Sequence, residues 1–142
     1  MKWPLIFLLS LFGLVMSFGT VDSIPVTIEP ICWAFIFILC AFVIAKYCTE
    51  KYFLNGLAVS IGNAIWMAIM HLVFFTAYTT NHTTEMGIIE KLVMPDEPQI
   101  VMFFTGIISG ATSGLVLGLL SHIAAGILHN RRQEPNALSI QS

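Results

Sequence analysis

The stretch GIISGATSGLVLGLLSHIAAG, residues 106–126, sets the class of fold. Glycine stands at 106, 110, 114, 118 and 126, and His122 takes the one remaining place in that spacing of four. Small residues every fourth position in an apolar helix let a neighbouring backbone come very close. A soluble core would fill such a stripe with Leu or Ile. Left bare, it predicts a glycine zipper at Gly106, Gly110, Gly114, Gly118 and Gly126. Four exceeds the 3.6 residues of a turn, so the stripe drifts by about 40° per step. One partner can then use its outer part and another its inner part, which makes this helix the expected hub.

The rest of the chain has the same character. Of 142 residues 57% are hydrophobic and 10% are charged, against roughly 25% charged in soluble domains. A spanning helix needs about 20 apolar residues. Four runs qualify, near 4–22, 30–47, 53–78 and 98–129. The expected fold is therefore all-α: one integral membrane bundle of four transmembrane helices over residues 1–129, followed by a polar tail at 130–142. The apolar part of the last run, Ile100–Leu128, would make about 43 Å of helix against a core of about 30 Å. It must tilt, kink or project.

The few charges are sorted. With four crossings, Lys2, Lys46, Lys51, Arg131 and Arg132 fall on one side and Lys91 alone among the bases on the other. The positive-inside rule makes the first side cytoplasmic, with both termini inside. No basic patch suits nucleic acid, so the expected partners are the bilayer and either a second copy of the chain or another membrane protein. Met1–Val21 reads as the first span, although Lys2, the apolar run from Leu5 and Ser17-Phe18-Gly19 also resemble a signal peptide. The cysteines Cys32, Cys40 and Cys48 stand eight residues apart on one helix, about 12 Å from each other, too far to pair with one another.

The third span repeats the small stripe with Gly56, Ser60, Ala64 and Ala68. Consecutive elements usually neighbour each other, so the last two spans are expected to close on these two stripes as an antiparallel hairpin. Between them, Glu85–Met94 puts Met86, Ile89, Leu92 and Val93 on one side and Glu90 and Lys91 on the other, as in a short interfacial helix.

No Asp, Glu, Lys or Arg lies mid-span, which disfavours carboxylate-coupled proton transport and acid–base catalysis. The candidate polar pocket is Asn63, His71, Thr105, Ser109, Ser113 and His122. Matching Tyr78 to Gln99 in depth sets Asn63 beside Ser113 and Gly114, His71 beside Thr105, Ser109 and Gly106, and His122 near Asn55. Trp66, near mid-membrane, needs an acceptor for its indole N–H. His71 and His122 would differ in depth by roughly 20–25 Å, so one metal or haem could not join them within a monomer. No metal or cofactor is expected, and no catalytic residue.

The run Ile24-Pro25…Ile28-Glu29-Pro30…Trp33, continuing into Ala45-Lys46-Tyr47-Cys48 and Lys51-Tyr52-Phe53, resembles an uncharacterised family of small bacterial integral membrane proteins with four helices. The resemblance implies a bacterial inner membrane and brings no activity. Three functional readings remain in order: a non-enzymatic membrane protein built on glycine-mediated helix packing or assembly; a small channel or transporter with a polar path between the third and fourth spans; and a haem- or metal-binding membrane protein.

Overall fold

The computed structural model describes residues 1–22, 24, 27–81, 87, 91 and 98–138. These residues form helices and no strand: α1 (Trp3–Asp22), α2 (Glu29–Tyr47), α3 (Tyr52–Val73), the short α4 (Phe75–Asn81) and α5 (Pro98–Leu138). Four of them, α1, α2, α3 and α5, are long and apolar enough to cross a membrane. Residues 82–86, 88–90 and 92–97 lie outside the described set, and with them most of the expected interfacial helix.

Three boundaries follow from local chemistry. Pro30 sits in the first turn of α2, where a missing N–H costs nothing, and Glu29 beside it favours the positive end of the helix dipole. Lys51, at φ 55°, takes the left-handed conformation that turns α2 into α3. The third span differs from its expected extent. It stops at Val73, and Phe74 (φ −104°, ψ 32°) breaks the helix before α4. No Gly or Pro marks the break. The rings of Phe18 and Phe74 meet there, centroids 6.1 Å apart, and α4 continues along α1. In the last span the helix runs unbroken past Asn130 to Leu138, so the part of the expected tail that adjoins the span is helical.

The bundle is organised around α3, not α5. α3 packs along both α1 and α5, and α2 packs chiefly on α5. The glycine stripe shows why. A Cβ on Gly56 would lie 2.9 Å from Gly118 Cα and 2.8 Å from the Leu117 carbonyl oxygen. One on Gly110 would overlap Ala64 Cβ, one on Gly114 would meet Leu57 Cδ1 at 2.7 Å, and one on Gly118 would meet the Phe53 ring at 2.8 Å. Gly106 and Gly126 differ: among the described residues nothing approaches within 4 Å of either Cβ position. The close seam therefore runs from Gly56–Gly118 to Ala64–Gly110 and then opens. Its register is shifted by about one turn from the one set by Tyr78 and Gln99, because α3 ends at Val73.

A second close seam joins α1 to α3. A Cβ on Gly13 would lie 2.5 Å from Asn63 Cα, and one on Gly62 would lie 2.6 Å from Ser10 Cβ. At the end of the bundle that holds the chain's N-terminus, all four long helices meet in one apolar core: Ile6 and Leu9, Cys40, Ala41, Ile44 and Cys48, Val59, and Leu117. α2, which reads as a lipid-facing helix, buries Cys40, Ala41, Ile44 and Ala45 and leaves Phe35, Ile38 and Phe42 exposed.

Candidate functional site

At the opposite, distal end, where α2 and α5 begin and α3 finishes, α2 stands away from α3. A cleft of about 920 Å³ lies between α2, α3 and α5. Its α2 wall carries Glu29, Pro30, Trp33, Ala34, Phe37 and Ile38. Its α3 wall runs from Ser60 through Asn63, Ala64, Met67, Ala68 and His71 to Leu72, a depth of about 18 Å along the helix. α5 contributes Val101, Met102, Phe103, Thr105, Gly106, Ser109, Gly110 and Ser113, with Val116 and Leu120 deeper. The cleft exists where the small stripes go unused: Ala68 and Gly106 face this space rather than each other's backbone.

The surface is mostly apolar with a few polar groups, the usual make-up of a small-molecule site. Among the described residues Glu29 is the one Asp, Glu, Lys or Arg on it. It belongs to the first turn of α2, and Trp33 Nε1 donates to its Oε1 at 3.2 Å. The Trp33 ring in turn meets Phe37 edge-on, centroids 5.9 Å apart. Ser60 Oγ donates to the Gly110 carbonyl at 3.2 Å across the α3–α5 seam.

Of the polar pocket expected from the sequence, Asn63, His71, Thr105, Ser109 and Ser113 lie on this one cleft. His122 does not; it is an exposed residue of α5, on the other side of the Gly110–Gly118 seam. Nor is it the partner of Asn55. That side chain, 1% exposed, accepts from the Lys2 backbone N–H (3.2 Å) and donates to the carbonyls of Glu50 (3.3 Å) and Lys51 (2.9 Å). Asn63 and His71 each have a polar contact from α1. Asn63 Oδ1 accepts from the Gly13 backbone N–H at 2.9 Å. His71 Nε2 lies 3.4 Å from Thr20 Oγ1. Trp66 finds its acceptor on the same helix, donating to Ser10 Oγ at 3.3 Å.

Two groups of site residues escape a reading of the sequence by depth alone. One is the α2 wall, above all Glu29 and Trp33, whose signal is an acid and an indole one turn apart at a helix start. The other is the α1 stripe Ser10, Gly13, Ser17 and Thr20, spaced by three and four so that it shares one face. Its serines and threonine are each no more than 4% exposed.

Asn63 is the one unbalanced member. Its residue is 3% exposed, and its Nδ2 is a buried donor with no hydrogen-bond partner among the described residues. A buried polar group in that condition costs about 1–3 kcal/mol and calls for an explanation. Among the described residues no cluster of three His, Cys, Asp or Glu side chains could hold a metal ion. No protein-family model, no characterised protein and no solved structure shows significant similarity to this chain.

Proposed function

We propose that this chain is a small, non-enzymatic membrane protein that binds an apolar molecule of drug-like size in the distal cleft, as the binding step of a channel or transporter. The cleft itself carries the reading. At about 920 Å³ it lies within the usual range for small-molecule sites, roughly 300–1,000 Å³. It combines an apolar wall with a few inward polar groups, and Asn63 on that wall keeps an unused donor. The glycine stripe supports it from below. Gly56, Gly110, Gly114 and Gly118 hold α3 against α5 within one chain, and the upper part of this seam, at Ser60, Ala64 and Gly110, forms part of the cleft wall.

The distribution of Lys2, Lys46 and Lys51 supports cytoplasmic termini and a cleft that faces outward. The resemblance to small bacterial membrane proteins supports a location in the inner membrane.

Trp33 on the cleft wall gives the test. In neutral detergent, 12-bromododecanol should quench part of the tryptophan fluorescence saturably, because a heavy atom held beside Trp33 acts at a fixed site. Filling the cleft by Ala68→Phe, or from the other wall by Ala34→Phe, should leave only the linear quenching that follows partition into the micelle. A wild-type protein with linear quenching alone does not bind ligand in this cleft.

A further inference from the structure

Resting on that reading, we infer that the ligand is an amphipathic organic cation, with an ammonium head at Glu29 and Trp33 and an apolar body reaching down the cleft toward Asn63. Three observations point the same way. First, Glu29 is the only Asp, Glu, Lys or Arg among the described residues that line the wall, so these residues set one carboxylate and no Lys or Arg on the cleft. A cation attracted there loses less hydration, because Glu29 sits at the mouth, in the first turn of α2. Second, Trp33 Nε1 donates to Glu29 Oε1 at 3.2 Å. That bond fixes a carboxylate next to the indole, the aromatic ring with the strongest attraction for ammonium groups. Third, the walls below the mouth are mostly apolar, with Phe37, Ile38, Met67, Ala68 and Leu72 interrupted by His71, Thr105 and Ser109 before Asn63, which suits a hydrocarbon or aryl body better than a compact hydrophilic amine. A cleft of about 920 Å³ fits a single drug-sized molecule, so the source is a free amphiphile rather than the headgroup of a two-chain lipid.

The probes are (12-bromododecyl)trimethylammonium, 12-bromododecanol and 12-bromododecanoate, added to the full chain in dodecyl maltoside, an uncharged detergent. The readouts are saturable tryptophan quenching and the thermal unfolding midpoint. The ammonium probe should saturate at about tenfold lower concentration than the alcohol, which corresponds to about 1.4 kcal/mol, and the carboxylate should bind weakest. Glu29→Gln should bring the ammonium probe to the level of the alcohol and leave the alcohol unchanged. Trp33→Leu should halve or further reduce the midpoint shift produced by the ammonium probe. Saturable binding of the alcohol with no preference for ammonium, or a preference that survives Glu29→Gln, overturns the cation and leaves the cleft standing. Absence of saturation by every probe overturns both. Displacement of the ammonium probe by phosphatidylethanolamine added to the micelles overturns the free amphiphile in favour of a lipid headgroup.

Discussion

Asn63 Oδ1 accepts a hydrogen bond from the Gly13 backbone N–H at 2.9 Å, at a crossing so close that a Cβ on Gly13 would lie 2.5 Å from Asn63 Cα. The glycine and the amide depend on each other, since only a residue without a Cβ lets the side-chain oxygen reach a neighbouring helix's N–H. Gly13→Ala should therefore push α1 off α3 and destabilise the protein by about 1–3 kcal/mol, despite the better helix propensity of alanine. Asn63→Leu removes both the bond and the unpartnered Nδ2. It should cost no more than about 1 kcal/mol. Unfolding in mixed micelles measures both, and equal losses for the two variants contradict this account.

Ala64 and Gly110 allow a cleaner experiment. The only atom that crowds a Cβ at Gly110 is Ala64 Cβ; Ala64 Cα is already 3.7 Å away. Gly110→Ala alone should destabilise by about 1–3 kcal/mol. Adding Ala64→Gly should restore most of that loss, because the swap exchanges which helix supplies the methyl group. Alanine at Gly106 or Gly126, where no described residue lies within 4 Å, should be neutral or stabilise by up to about 1 kcal/mol. A double-mutant cycle on the first pair with no coupling energy contradicts the seam.

Asn55 ties the N-terminus of α1 to the turn between α2 and α3 through Lys2, Glu50 and Lys51, and Lys2 Nζ also donates to the Tyr47 carbonyl at 2.5 Å. Replacement by Leu leaves the Lys2 N–H and the Glu50 carbonyl to find new partners, while the Lys51 carbonyl keeps the backbone N–H of residue 55, and should cost about 1–3 kcal/mol. The same contacts bear on the first twenty residues. Removing α1 would strip partners from Asn55, Asn63, Trp66 and His71 together. The purified protein should accordingly retain α1, which intact mass and a fusion reporter at the N-terminus will show.

Cys48 caps α2 just beyond its last turn, is 5% exposed, and lies beside the positive charges of Lys2 and the amino terminus. Burial pushes its thiol above the ordinary value, and the two cations only partly oppose this. The thiolate is the reactive form, so at neutral pH less of it is present in the folded state than in the unfolded one. In a Cys32→Ala, Cys40→Ala background, alkylation by a soluble maleimide should be slower in the fold than after denaturation. Its rate should keep rising with pH beyond the point where the denatured thiol has levelled. Equal pH profiles in the two states would contradict the shift.

Much of the architecture is written in local composition. Four apolar runs mark α1, α2, α3 and α5 within a few residues at most ends, since hydrophobic length needs no tertiary information. The two small-residue stripes also name the contact between α3 and α5, because a missing side chain is itself a packing instruction. The break at Phe74 has no such mark. Val73, Phe74 and Phe75 could continue a helix, and only the contact with α1 bends the chain there. The polar residues show the same limit. Asn63 and His71 stand out in any reading of the chain, but equal depth alone cannot say whether α1 or α5 receives them.

By itself the sequence determined the all-α class, the four helices long and apolar enough to cross a membrane, and the stripe that joins the third of them to the fourth, because these depend on side-chain size and polarity along single helices. The tertiary structure decided which helix is central, which half of the glycine run stays closed, and that α2 diverges to set Glu29 and Trp33 opposite Asn63 and His71. Those facts depend on how helices distant in sequence divide the space around α3. A stripe of small residues permits close approach but does not choose the partner; volume filled by every other helix makes that choice.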